Sequence, residues 1–303
     1  MSGINNPFKD IEYADMPAVK YFASRDGSRL AFREYPANRL PVRGSVVLIH
    51  GAASRSNSMH VMAKAFALAG YSTYALDMRG HGNSGSKGHI DYIGELEDDV
   101  EDFVNSVKRP GKTTLAGFSS GGGFVLRFAG SGRQKLFSNY LLLTPFLGQD
   151  SPTYRPNSGG WVSVGPLRAI AITVLNGIHI TAFNDLPIIS FALDEADKDF
   201  LTPQYSFALE ENFRPHRDYR ADIRSANQPM EILAGQDDEA FRVERFAEVF
   251  RAEGKPVPVT IIPKIGHIAL TLNPVAVQAA VSAVTRLDEG ANDTLAIRSN
   301  APQ

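Results

Sequence analysis

The sequence predicts an α/β fold: a mainly parallel central sheet flanked by helices, interrupted by an inserted, mostly helical cap. Three observations carry this expectation. Short apolar runs alternate with stretches of helical periodicity, which implies crossover connections and parallel strands. A Gly-x-Ser-x-Gly turn, Gly117-Phe118-Ser119-Ser120-Gly121, falls between one such run and the helix after it. The alternation then lapses from about 146 to 226 and resumes beyond it.

Taken in order, residues 19–24 and 29–35 read as two strands joined by Asp26-Gly27, a hairpin signal. Residues 45–49, SVVLI, form a continuous apolar run suited to a strand buried on both faces. Helical spacing over 59–69 ends at Gly70, and a strand over 72–76 ends at Asp77. The pattern repeats as helix 95–108, strand 113–117, helix 120–129 and strand 140–143. After the lapse come strand 230–234, helix 241–252, strand 257–262 and a last helix over 274–287, with a polar, frayed tail expected from 289. An 80-residue unstructured loop would be out of place in a compact domain. The expected division is therefore a core of 1–145 and 227–303 with a cap of 146–226 over the strands' carboxyl ends.

Composition narrows the function. The chain of 303 residues is 43% hydrophobic and 21% charged, enough to bury a full core. A net charge of −2 gives no electrostatic basis for nucleic acid or anionic membranes. The absence of cysteine excludes disulfides, thiolate metal sites and a cysteine nucleophile. No apolar h-region stands in residues 1–13, and the apolar stretch 169–183 is too short and too polar to span a bilayer, so no membrane insertion and a cytoplasmic location are expected.

The glycines of the elbow fit the chemistry of an exposed nucleophile. A serine on a sharp strand-to-helix turn leaves no room for side chains two positions either side, and the next backbone N–H is free to stabilise an oxyanion. Ser119 has both glycines, whereas Ser120 would have Phe118 in the first position. The serine needs a base and the base a carboxylate, both after strands beyond the insertion. Of seven histidines, only His267 follows the last strand. Asp237 and Asp238 both follow strand 230–234, and Asp238 is preferred because its place three residues past Gly235 lets the loop turn inward. The second oxyanion donor should lie in His50-Gly51-Ala52-Ala53, with the Ala52 N–H as candidate beside that of Ser120; His50 reads as a brace for this loop.

At these residues a resemblance emerges. Gly70 through Ser84, which includes Asp77-Met78-Arg79-Gly80-His81-Gly82, resembles the signature of capped α/β-hydrolases, best the lysophospholipase and monoacylglycerol-lipase-like group. Arg25-Asp26-Gly27, His50-Gly51-Ala52 and Glu97-Asp98-Asp99-Val100 are similar too. The resemblance implies a Ser119–Asp238–His267 triad, an oxyanion hole of Ala52 and Ser120, and ester hydrolysis through an acyl-serine, with no metal or organic cofactor. It also implies that residues 77–84 are structural, which makes Arg79 and His81 poor catalytic candidates. The sequence departs from the group at Phe118 and Ser120, where His and Met are usual. That elbow is also similar to cofactor-free perhydrolase-type esterases, which use the same triad.

Trp161, Phe183, Phe191, Phe200, Tyr205 and Phe207 in the cap suit a lipophilic acyl or alkyl group, while Arg155, Arg168 and Arg214 offer only single charges. The expected activity is hydrolysis of a small or medium lipophilic carboxylic ester. Carbon–carbon bond hydrolysis with the same triad and a ligand-binding protein on a hydrolase scaffold are the alternatives.

Overall fold

The computed structural model describes residues 8, 11–155, 162–193 and 201–299. Its strands are β1 (Val19–Ala23), β2 (Arg29–Tyr35), β3 (Gly44–Ile49), β4 (Tyr71–Leu76), β5 (Lys112–Phe118), β6 (Asn139–Leu143), β7 (Val162–Val164), β8 (Pro187–Phe191), β9 (Gln204–Ser206), β10 (Met230–Gly235) and β11 (Val259–Ile262). Between them run α1 (His60–Leu68), α2 (Glu95–Ser106), α3 (Ser120–Gly130), α4 (Pro166–Gly177), α5 (Phe207–Asn212), α6 (Tyr219–Ser225), α7 (Phe246–Ala252) and α8 (Pro274–Ser299).

Eight strands make the central sheet in the order β1-β2-β4-β3-β5-β6-β10-β11. Only β2 is reversed; it pairs antiparallel with both β1 and β4, and every other neighbouring pair is parallel. β3 and β4 are buried along their whole length, as central strands covered on both faces are, β4 even at Ser72 and Thr73. Alternate residues serve opposite faces. Val47 and Ile49 join Leu115, Phe103 and Phe128 on one side, whereas Val46 and Leu48 join Met62, Phe66 and Val284 on the other. The order reverses at β3: β4 leads back to one side and β5 to the other, which opens a crevice at their carboxyl ends.

Between β6 and β10 the chain makes its excursion. Besides α4 and α5 it holds a three-stranded antiparallel sheet, β7-β8-β9, which periodicity in strands of three to five residues does not reveal. α6 packs on α3. Two further boundaries differ from expectation. The helix expected over 241–252 begins only at Phe246, because the N–H groups of Ala240 and Phe241 are taken by the Asp238 carboxylate and that of Arg242 by the Thr153 carbonyl. The last helix does not fray at 289 but continues to Ser299, in a stretch without proline where one glycine, Gly290, costs only about 1 kcal/mol. Among the described residues, no helix is long and apolar enough to cross a membrane.

Candidate active site

The elbow after β5 is tight. Ser119 has φ 55° and ψ −118°, in the left-handed φ range that non-glycine residues rarely adopt. A Cβ on Gly117 would run into the Gly121 carbonyl oxygen, and one on Gly121 into that of His50, so no larger residue fits at either position. The turn places Ser119 Oγ 3.0 Å from His267 Nε2, and His267 Nδ1 stands 2.9 Å from Asp238 Oδ2. Because a carboxylate only accepts, Nδ1 carries the proton and Nε2 is left to accept from the serine hydroxyl. All three residues are buried, with exposures of 8%, 6% and 2% for Ser119, His267 and Asp238.

Asp238 is held by four donors. Besides His267 it accepts from Thr144 Oγ1 at 2.6 Å and from the Ala240 and Phe241 amides at 2.9 Å. Burial works against its charge, but the bonds from His267, Thr144 and Phe241 outweigh it and keep the carboxyl below the usual range. Asp237 is exposed. His267 is fixed from three sides: its amide donates to Glu239 Oε2 at 2.9 Å, and its ring packs on Phe118 and Phe241 with centroids 4.8 and 5.2 Å apart.

Ala52 and Ser120 line one cavity with Ser119 and His267, and among the described residues neither backbone N–H has a hydrogen-bond partner. The cavity has a volume of about 310 Å³, and Phe146, Val162, Val164, Ile189, Phe191 and Phe241 form its apolar wall. Of the aromatic residues expected to line the pocket, Phe191 and Tyr205 do so, Phe183 is 45% exposed and Phe207 is buried elsewhere. Trp161 and Phe200 lie outside the described residues. The arginines serve backbone or carboxylate partners: Arg155 the Phe241 carbonyl, Arg168 the Pro187 carbonyl and Arg214 the Glu211 carboxylate. A larger hollow of about 500 Å³, lined by Asn227, Lys255 and Arg286, contains none of these residues.

The segment 77–84 braces the site from behind. Asp77 accepts from the Ser56 and Asn83 amides, and Gly82 at φ 51° lets it approach, since a Cβ there would overlap the carboxylate. Arg79 forms a two-pronged pair with Asp99 at 2.7 and 2.8 Å and reaches Asp26 at 2.8 Å, which turns it away from Ser119. His50 and His81 are fully buried, their ring centroids 4.8 Å apart, and desolvation holds both below the ordinary histidine range and so neutral. His50 Nδ1–H donates to the Gly51 carbonyl and Nε2 accepts from the Met78 amide. His81 Nδ1–H donates to the Arg79 carbonyl, so its Nε2 accepts from Tyr205 Oη at 2.6 Å. Tyr205 Oη in turn accepts from the Ala53 amide at 2.6 Å. Thr144 and Glu239 do not figure in the sequence analysis, and Tyr205 figures there only as a pocket aromatic, not as the partner of the Ala53 amide. For Thr144, its position directly after a strand was an available signal. Among the described residues no three histidines or carboxylates cluster closely enough to hold a metal ion.

A family model described as serine aminopeptidase, S33, matches residues 41–271. A monoacylglycerol lipase of Mycolicibacterium smegmatis is 36% identical over 111 residues, 35% of this chain and 39% of that protein, so the match spans about two fifths of the relative's own length. A soluble variant of monoglyceride lipase from Saccharomyces cerevisiae, solved with a substrate analog, superposes with a TM-score of 0.68 at 21% identity over 92% of this chain and 98% of that one. A monoacylglycerol lipase from Paleococcus ferrophilus gives 0.62 at 20% identity over 86% and 98%. At such identities these two likenesses are ones of fold, and the fold is that of the α/β-hydrolases.

Proposed function

The chain belongs to the serine aminopeptidase S33 family, and on that basis we propose that it is a serine hydrolase that cleaves a carboxylic ester of a small or medium lipophilic substrate, monoacylglycerol-like esters being the first class to test. The observation that carries the reading is the hydrogen-bonded chain Ser119–His267–Asp238 beside two free backbone N–H groups. His267 Nε2 takes the Ser119 proton as Oγ attacks the ester carbonyl. The Ala52 and Ser120 N–H groups stabilise the oxyanion. The protonated His267 then gives its proton to the departing alkoxide, leaving an acyl-Ser119. Water, deprotonated by the same nitrogen, attacks the acyl group and releases the acid. Asp238 holds the tautomer and offsets the imidazolium charge. The apolar wall takes the lipophilic group, each buried methylene contributing about 0.8 kcal/mol.

The same reading assigns 1–145 and 227–303 to the catalytic core and 146–226 to a cap, with α6 as the joint where the cap returns to the core. It also assigns the protein a cytoplasmic place of work. The direct test is intact-mass analysis after exposure to a fluorophosphonate, with wild type and Ser119→Ala in parallel. One adduct on wild type and none on the variant is the expected result. A folded wild-type protein that stays unlabelled would overturn the reading and favour a ligand-binding protein.

A further inference from the structure

Glu210 and Glu211 are neighbours on α5 with opposite surroundings. Glu211 accepts from Arg214 at 2.9 Å and from Arg217 at 2.8 and 2.9 Å. Glu210 lines the cavity in front of Ser119, and among the described residues its carboxyl makes no hydrogen bond and no ion pair. A carboxylate can accept about four hydrogen bonds, and Glu210, half-buried at the cavity wall, receives none from the described residues. Burial pushes Glu210 up to about 7; Arg214 pulls it down and Glu211 pushes it further up, both through space. The hydrolytic steps leave this group idle.

Its position indicates which part of a substrate it meets. In the sheet, β3 lies on one side of β5, while β6, β10 and β11 lie on the other. His267 follows β11, so the leaving alcohol that takes its proton departs on that side, near Phe241 and Ala240. Glu210 stands on the β3 side. Its charge reaches the Tyr205 hydroxyl, which is bonded to Ala53 next to Ala52. With the alcohol leaving on the His267 side, the other side of Ser119, where Glu210 lines the cavity, is left for the acyl group. Arg214 offsets the carboxylate charge, so an uncharged donor suits the site better than an ammonium group.

We propose that Glu210 is a specificity-determining residue that accepts a hydrogen bond from a hydroxyl on the acyl part of the substrate, so that the enzyme selects hydroxyacyl esters over plain ones. The proposal rests on the serine-hydrolase reading above. Above about pH 7, where the carboxyl is ionised, a hydrogen bond to it is worth enough to raise kcat/KM by about tenfold or more for the ester whose hydroxyl reaches it, so the assays are run at pH 8 or above.

The test compares para-nitrophenyl hexanoate with its analogues hydroxylated at successive carbons, and with the ω-amino analogue, on wild type, Glu210→Leu and Glu210→Gln. The expected result is at least one hydroxy ester preferred about tenfold or more by wild type. The preference should fall to about one in Glu210→Leu and be partly kept in Glu210→Gln, whose carbonyl still accepts. A wild-type ratio near one for every hydroxy ester, or an undiminished ratio in Glu210→Leu, would overturn the proposal; so would a stronger preference for the amino ester. Calorimetric binding of the same esters to Ser119→Ala reads the pocket without the chemistry. A hydroxy preference in binding with no turnover by wild type would sink the hydrolase reading and leave the role of Glu210 standing.

Discussion

The Tyr205 hydroxyl lies 2.6 Å from the Ala53 amide nitrogen, so a residue of the segment between β6 and β10 is bonded to the loop after β3 that carries Ala52. Ala53 sits at φ 59°, a conformation that this bond and the neutral His81 behind it help to hold. In Tyr205→Phe the amide loses its partner in a buried place. The expected result is a fall in kcat of roughly tenfold with KM little changed, and a loss of about 1–3 kcal/mol in stability. Steady-state kinetics and thermal melts on the same sample read both. A change in KM alone would mean that Tyr205 contacts substrate and does not position the loop.

Ser119→Ala and His267→Ala should each lower kcat by at least about 10⁴-fold while leaving a folded protein. Asp238→Asn should cost about as much, since an amide can present a donor to the histidine and favour the wrong tautomer. Asp237→Asn, on an exposed side chain, should stay within about twofold of wild type. Circular dichroism and ester turnover on the four variants check this; equal losses at Asp237 and Asp238 would contradict the assignment.

Glu210 gives stability a pH dependence whose sign follows from its raised value. The folded state favours the protonated carboxyl, so its contribution is fully present below the unfolded value and is lost as pH rises through about 7. Glu210→Gln removes this loss. Its melting temperature should match wild type near pH 4 and exceed it by roughly a few degrees above pH 8. Scans across that range check the difference, in which the contributions of all other groups cancel. A constant offset would show that Glu210 does not titrate in this window.

Gly121→Ala should abolish both labelling of Ser119 and native melting, because the new methyl overlaps the His50 carbonyl oxygen, a backbone atom that cannot move aside. Gly132→Ala, where a Cβ meets nothing within 4 Å, is the matched control and should change stability by no more than about 1 kcal/mol. Expression yield and melting of the pair decide it.

Much of the fold is legible because strand-like runs alternate with helical spacing: 29–35, read beside its hairpin signal, is identical to β2, and 45–49 and 72–76 each fall one residue short of β3 and β4. Ser119 is legible for a steric reason, since only glycine survives two residues either side of such a turn. The hydrogen bonds that fix the site are not written locally. Thr144, Glu239 and Tyr205 each act on a residue 28 to 152 positions away, and no periodicity links them. Helix α7 starts late because of Asp238, whose appetite for N–H donors is invisible until the loop is folded. The small β7-β8-β9 sheet is hidden by strands too short for alternation to register.

β6 and β10 are parallel neighbours, joined in the chain through all of the segment 144–229, yet α6 alone, packed on α3, already supplies the crossover that parallel neighbours require. The stretch from Pro145 to Asp218 is thus topologically a detour whose two ends lie on the same side of the sheet. Since the entropy of closing a loop grows only slowly with its length, a change in the length of this stretch should leave the strand order undisturbed. What such a change must preserve is one hydroxyl at the height of Tyr205. On the proposed function, exchanging the detour changes which substrate the site takes, and the loop that carries Ala52 keeps its shape only if that single strut comes with it.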